Sequence, residues 1–432
     1  MFNKIIFICV LLCACSKAET ASQTTLATKL TPTTFVNTIQ NDFFGLHIHH
    51  LDFPYPKGKS SWPFVPFGSW RLWGSYVDWR DIEPQRGVWD FRRLDLYVDL
   101  AKAHNVEPLM TFGRLPKWAS ARPNEQYNGS SAEPANIEDW KTMVRTVVRR
   151  YKGRIKYYET WNEPRFYEIE GVVPNTVGYY SGTAAKLVEL TKTAKQIIAE
   201  EDPAAKLVSP SFVSNPNRLD FFLKSGGVGT FDILGYHYYT DKPEKIPAIS
   251  KQVKQIMAKY HLESTPIWNT ESGFNYERPE FSIRTGTAKG SFEDILPVNI
   301  GAFYLSRALL LTAGEGISRF YLFNWDGQPP GLSMGIAYQR GSVATPMTKA
   351  YQKTRDWLIG SKPVPCEIRA NSVWVCKVSK GLIVWSASDQ NTAVDMSEIG
   401  ATTSIEKLLS DDIQVVNMKD FTATAEPVLL RK

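Results

Sequence analysis

The chain has 432 residues, 43% hydrophobic and 22% charged, enough to bury a large core as one big domain with a small companion, or as one oversized domain. Its formal charge of +6 comes from 50 basic and 44 acidic residues without a dense basic block, which argues against a nucleic-acid partner, since that needs concentrated cations to displace counterions. With 13 Trp and 19 Tyr the aromatic share reaches 12%, a composition suited both to core packing and to stacking on flat, partly apolar ligands.

The chain opens on "MFNKIIFICVLLCACSKAET", with one Lys, an apolar run too short to span a membrane, then Leu12-Cys13-Ala14-Cys15. This resembles a bacterial lipoprotein signal over residues 1–15, which implies cleavage before Cys15 and acylation of its sulfur. Ser16 favours the outer membrane. The expectation is an exported lipoprotein held to the membrane by its lipid anchor only, facing the periplasm or the cell surface; an ordinary secretory peptide cut near Ala18 is the alternative. Residues 16–40 are Thr-rich and read as a tether with a first strand.

From Phe43 to Asp326 short apolar runs alternate with amphipathic helical stretches, the pattern of repeated βα units around a parallel sheet. Eight strands are read, starting at Phe43 (FFGLHIHH), Phe67 (FGSWRLWG), Val106 (VEPLMTFG), Ile155 (IKYYETWNE), Ala205 (AKLVSPSF), Phe231 (FDILGYHYY), Pro266 (PIWNTES) and Arg319 (RFYLFNWD). Residues 41–354 are therefore expected to form an α/β fold, a (β/α)8 TIM barrel. The alternative, a doubly wound sheet, lacks its glycine-rich phosphate turn after the first strand. Over residues 355–432 apolar and polar positions alternate between turns, which predicts a small C-terminal β-sheet, sandwich-like domain. Within it Cys366 and Cys376 flank EIRANSVWV, a spacing open to a hairpin disulfide in an oxidising compartment. With no CxxC spacing and no nearby His, a metal site there is not expected.

Two carboxylates stand out, because each closes an apolar strand where desolvation is costly: Glu163 in KYYETWNEP and Glu271 in PIWNTESGF. In a barrel the C-terminal strand ends share one mouth, so both face a common cleft. Two carboxylates about 5 Å apart there are the minimum kit for glycoside hydrolysis with retention.

TWNEP followed about a hundred residues later by IWNTESG resembles the clan A glycoside hydrolases, and the run from Phe67 to Ser120 resembles family 39 in particular. That family includes β-xylosidases, α-L-iduronidases and endoglycosidases acting on bacterial exopolysaccharides. The resemblance implies Glu163 as general acid/base and Glu271 as nucleophile. It also implies Asn162 bonding the sugar 2-hydroxyl and Arg71 keeping the nucleophile ionised. His237 and Tyr239 share a strand face that the resemblance turns to the cleft, where Tyr239 is expected to bond Glu271. His47 and His49 tempt a metal reading, but without convergent Cys or acidic ligands they read better as donors to sugar hydroxyls. Trp325, and secondly Trp118, are candidate sugar platforms, with plain packing as the alternative for each. Long loops after the third and seventh strands carry Arg114, Lys117, Arg122, Arg278 and Arg284, charges compatible with an acidic or neutral polysaccharide.

The function expected is an exported retaining glycoside hydrolase, endo-acting on a bacterial exopolysaccharide, with a polysaccharide or oligosaccharide substrate and no cofactor or metal. An exo-acting β-xylosidase-like enzyme and a non-catalytic carbohydrate-binding lipoprotein are the alternatives.

Overall fold

A computed structural model of the chain describes residues 38–51, 60–170, 179–278, 293–327, 333–339, 341–388, 391–396, 404–415 and 421–431. The expected signal with Cys15, most of the tether and Arg284 lie outside the described residues.

Nine parallel strands form the main sheet: β1 (Phe44–Leu46), β2 (Ser69–Leu72), β3 (Glu107–Phe112), β4 (Tyr157–Thr160), β5 (Lys206–Val208), β6 (Phe212–Val213), β7 (Leu234–His237), β8 (Ile267–Ser272) and β9 (Arg319–Leu322). Their order is β5-β4-β3-β2-β1-β9-β8-β7-β6. The fifth expected strand is broken into β5 and β6 at Ser209-Pro210-Ser211, where proline supplies no N–H to a ladder. Single parallel bridges, Val208 to Ile233 and Asn162 to Ser211, carry pairing across the break and close the (β/α)8 barrel. The tether was expected to include a strand; its described residues 38–40 carry none, and the sheet begins at Phe44.

Helices cover the outside: α1 (Trp79–Ile82), α2 (Arg92–Ala103), α3 (Ile137–Arg150), α4 (Tyr167–Glu170), α5 (Ala184–Glu201), α6 (Asn217–Phe222), α7 (Ile246–Lys259), α8 (Val298–Gly314) and α9 (Pro346–Leu358). In α3 the buried Trp140, Met143, Val144, Val147 and Val148 fall at three- and four-residue spacing. The Asn136 side chain accepts the Glu138 N–H at its start, and Arg149 and Arg150 sit in its last turn. α9 starts on a reciprocal cap between Thr345 and Thr348 and runs through the domain boundary expected at 354/355, which therefore falls inside a barrel helix.

Strand alternation sorts two cores. Leu109, Val208, Ile233, Trp268 and Tyr321 form a small apolar cluster, whereas Met110 and Phe112, on the other face of β3, join the large cluster shared with the helices. Gly45 leaves room for that filling: a Cβ there would stand 2.5 Å from the Tyr321 ring. Toward the strand C-termini the apolar cluster gives way to the polar groups of the cleft.

Beyond α9 come β10 (Glu367–Ile368), β11 (Val373–Val378), β12 (Gly381–Ser386), β13 (Thr392–Val394), β14 (Ser404–Lys407), β15 (Ile413–Val415), β16 (Phe421–Ala423) and β17 (Val428–Arg431). They make a six-stranded antiparallel sheet, β10-β11-β12-β17-β14-β15, and a separate pair, β13-β16. One sheet face sends Trp374, Ile383, Trp385 and Leu429 into the barrel's core, while Val375, Val384 and Leu430 pack with Phe421 and Ala423 of the pair. Cys366 and Cys376 are disulfide-bonded, tying the β10–β11 hairpin.

Candidate active site

Four strands deliver polar side chains to one point near their C-terminal ends. Arg71 of β2, fully buried, is its hub. Its Nε donates to Glu159 Oε2 at 2.8 Å, Nη1 to Glu271 Oε2 at 2.8 Å, and Nη2 to Asn162 Oδ1 at 2.8 Å and Ser211 Oγ at 3.1 Å. Thr111 Oγ1 donates to Glu159 as well, at 2.7 Å. A planar, always charged fork is the side chain able to serve acceptors in several directions at once.

Glu163 and Glu271 face each other. Together with His237 Nδ1 their nearest ligand atoms lie within 4.8 Å of one another. His237 Nδ1 shares a hydrogen bond of 2.7 Å with Glu163 Oε1 and lies 4.0 Å from Glu271 Oε1. Tyr239 Oη donates to Glu271 Oε1 at 2.9 Å, as expected. The bend after β4 that aims Glu163 puts two non-glycine residues, Trp161 (φ 69°) and Glu163 (φ 45°), in the left-handed region. Their N–H groups donate to Phe112 O and Ser211 O, which hold the bend in place. Such strain persists where neighbouring structure fixes it, commonly at functional sites.

Burial raises the Glu163 pKa to about 7, against the pull of Arg71, Arg165 and Arg218. Desolvation leads, and the Glu271 charge is not among the main causes. Burial also lifts Glu271, where Arg71 and the Tyr239 hydroxyl oppose it. Burial lowers His237 to about 3, so its imidazole is neutral. Because the folded Glu163 pKa exceeds the ordinary 4.5, its ionisation costs stability: nothing below pH 4.5, rising from there to full size above pH 7. Glu163→Gln is therefore expected to raise stability at pH 8 by on the order of 2 kcal/mol, with no gain at pH 4. Denaturant unfolding at both pH values checks this, and an equal effect at both would contradict it.

A cavity of about 240 Å³ opens onto Asn162, Glu163 and Glu271, walled by His49, Trp73, Arg114, Tyr179 and Phe323. A larger one, about 660 Å³, lies beside Asp42, Tyr157 and Arg319 and touches neither carboxylate.

Several expected binding residues sit elsewhere. Trp325 is fully buried, its indole N–H donating to Ser61 O and its ring packed on Phe64; the aromatic wall near that strand end is Phe323. Trp118 packs against Trp79 and under Arg86, with its N–H on Glu83 O, away from the cavity. His47 is buried and bonded through Nε2 to Thr270 O, and His237 reaches Glu163 instead of the cavity wall; only His49 of the three lines the cavity. Among the described loop cations Arg114 alone lines it. Arg278 is buried on the carbonyls of Gly327 and Gly335, and Arg122 pairs with Glu125 and Glu133. Among the described residues the spacing that suits a metal is that of Glu163, His237 and Glu271; the His47 and His49 pair is not part of it.

Glu159, Trp73, Tyr179 and Phe323 were not singled out from sequence. Glu159 was within reach: it shares a strand parity with Glu163 and lies in the same apolar run.

Residues 70–280 match the sequence model of Glycosyl hydrolases family 39. Endo-1,4-beta-xylanase A of Xylanibacter ruminicola is 23% identical over 282 residues, 64% of this chain and 63% of that protein. The chain spans between 9% and 63% of the length of the first curated relatives it matches. A family 39 glycoside hydrolase from Bacteroides cellulosilyticus WH2 superposes with TM-score 0.63 at 17% identity, over 85% of this chain and 75% of that one. The GH39 enzyme from Xanthomonas axonopodis pv. citri does so with TM-score 0.60 at 14% identity, over 91% and 94%. By the matched segment and the shared barrel, the chain resembles the family 39 glycoside hydrolases of clan A in sequence over residues 70–280 and in fold.

Proposed function

We propose that the chain is a retaining glycosidase that cleaves within a polysaccharide by double displacement, with Glu271 as nucleophile and Glu163 as acid/base. The observation that carries this reading is the pairing of the two carboxylates across one cavity, with ligand atoms inside 4.8 Å and unlike surroundings. That spacing fits the ~5 Å of retaining enzymes and falls short of the ~6.5–9.5 Å at which inverting ones seat a water beside the sugar, and so favours direct attack. Arg71 and Tyr239 both donate to Glu271 and so favour its anion, while burial pushes Glu163 up to about 7.

In the first step Glu271 Oε attacks the anomeric carbon, the glycosidic C–O bond breaks, and the Glu163 proton passes to the departing oxygen. In the second, Glu163 takes a proton from water, whose oxygen attacks the same carbon and releases the Glu271 carboxylate. A pKa of about 7 suits a group that must give and take a proton in turn. Asn162, anchored through Oδ1 on Arg71, presents its amide to the cavity where a sugar 2-hydroxyl would lie.

The xylanase relative supports endo action; a cavity of about 240 Å³, below the ~300–1,000 Å³ usual for ligand pockets, favours an exo-acting β-xylosidase-like reading as the second. The Leu12-Cys13-Ala14-Cys15 run supports an exported lipoprotein acting on an exopolysaccharide outside the cytoplasm. The test is hydrolysis of bacterial exopolysaccharides, xylans and aryl β-glycosides, with Glu163→Gln and Glu271→Gln alongside. Release of oligosaccharides, lost in both variants, is expected for the endo reading; single sugars alone indicate exo action, and binding without turnover contradicts both. The kcat/KM of wild type is expected to fall above about pH 7 as Glu163 loses its proton.

A further inference from the structure

Two arginines stack on aromatic rings that line the cleft, Arg114 on Trp73 and Arg165 on Tyr179. Arg114 lies 4.4 Å over Trp73 and pairs with Asp78 at 2.9 Å, so its charge is already answered. Arg165 lies 4.1 Å over Tyr179, a ring of the cavity wall, and forms no ion pair among the described residues, Glu163 acting on it only at longer range. It is half-buried, and its Nε is enclosed without a hydrogen-bond acceptor. An enclosed N–H without an acceptor carries a desolvation cost that an anionic ligand group at the guanidinium would offset. Its backbone N–H is bonded to Tyr180 O, which fixes the strand of chain that carries it.

Its position says which part of a ligand it meets. Arg165 follows Glu163 by two residues, acts on the Glu163 carboxyl, and is not among the main influences on Glu271. Glu163 delivers its proton to the leaving oxygen, so the wall on its flank faces the sugar beyond the scissile bond.

We propose that Arg165, stacked on Tyr179, is a specificity-determining residue that binds an anionic substituent, a carboxylate or sulfate, on the leaving-group sugar. The proposal rests on the glycosidase reading and deepens it: the preferred substrate is an acidic saccharide whose charge lies on the far side of the cleaved bond. The guanidinium fork offers the two parallel N–H donors that a carboxylate or sulfate accepts, and the tyrosine face holds the fork in plane.

The test measures binding by calorimetry to full-length Glu271→Gln protein, with and without Arg165→Gln or Arg165→Lys. The ligands are glucuronate-bearing xylo-oligosaccharides, the same oligosaccharides after carboxyl reduction, and sulfated xylo-oligosaccharides. The expected result is a preference of about tenfold or more for an anionic ligand over its neutral counterpart. That preference should shrink with salt, vanish in Arg165→Gln and return in part in Arg165→Lys. Preference for the glucuronate or for the sulfated arm tells the two anions apart. Equal binding of charged and neutral ligands, or a preference that survives Arg165→Gln, overturns the proposal. Turnover of the same panel by wild type is scored separately, so failure of the glycosidase reading shows as anion-selective binding without cleavage.

Discussion

Glu271→Gln is expected to lower kcat by roughly 10⁴-fold or more, with the fold intact. The amide keeps the shape: its oxygen can still accept from Arg71, now 2.8 Å from the carboxylate, and its NH2 can donate to the Tyr239 hydroxyl, now at 2.9 Å, but it cannot form a glycosyl ester. Glu163→Gln should cost less, about 10²–10⁴-fold, and the loss should shrink on aryl glycosides whose leaving groups need no proton. Initial rates on an activated and an unactivated glycoside separate the two variants. Equal losses on both substrates for both variants would contradict the assignment of roles.

Arg71→Met is expected to remove about 3–5 kcal/mol of stability, more than any other single change at the site. The reason is the company Arg71 keeps: Glu159 and Glu271 both pair with it inside the barrel, at 2.6 and 2.8 Å, with Glu159 fully buried. Without the guanidinium those carboxyls must take up protons or face each other uncompensated, so the loss should be largest at high pH and smaller below the raised pKa values of Glu159 and Glu271. Arg71→Lys should recover only part of it, since one ammonium cannot span Glu159, Glu271, Asn162 and Ser211. Urea unfolding as a function of pH reads this out. A loss below about 1 kcal/mol at pH 8 would mean that the network contributes little to the fold.

Much of the architecture was legible because its physical causes are local. Apolar runs such as Val106 to Gly113 are strands since both faces are covered, and the spacing of Trp140, Met143, Val144 and Val147 marks a helix with one buried face. The break of the fifth strand does not show in its apolar pattern, although Pro210 carries its cause. The catalytic candidates were legible for the same reason they are costly: an acidic residue ending a buried strand needs an explanation. Arg71 and the cleft-facing role of Tyr239 follow from the family resemblance, and strand parity adds only that Tyr239 and His237 share a face.

The cavity wall was less legible. Trp325 lies beyond β9, which ends at Leu322, and Trp118 lies in a turn after β3, so period-two alternation no longer says where either ring points. Phe323, Tyr179 and Arg165 acquire their places from loop geometry between distant elements. Glu159 is harder to read, since a single acidic residue inside a strand usually faces solvent, whereas here the barrel interior holds a guanidinium to receive it.

The most direct test of the central claim is trapping. Wild-type enzyme is incubated with the 2-deoxy-2-fluoro derivative of a glycoside it cleaves, then digested and mapped by mass spectrometry. A glycosyl adduct on the peptide carrying Glu271, absent in Glu271→Gln, is the result predicted. An adduct on another residue, or none together with release of the inverted anomer from the parent glycoside, would contradict it.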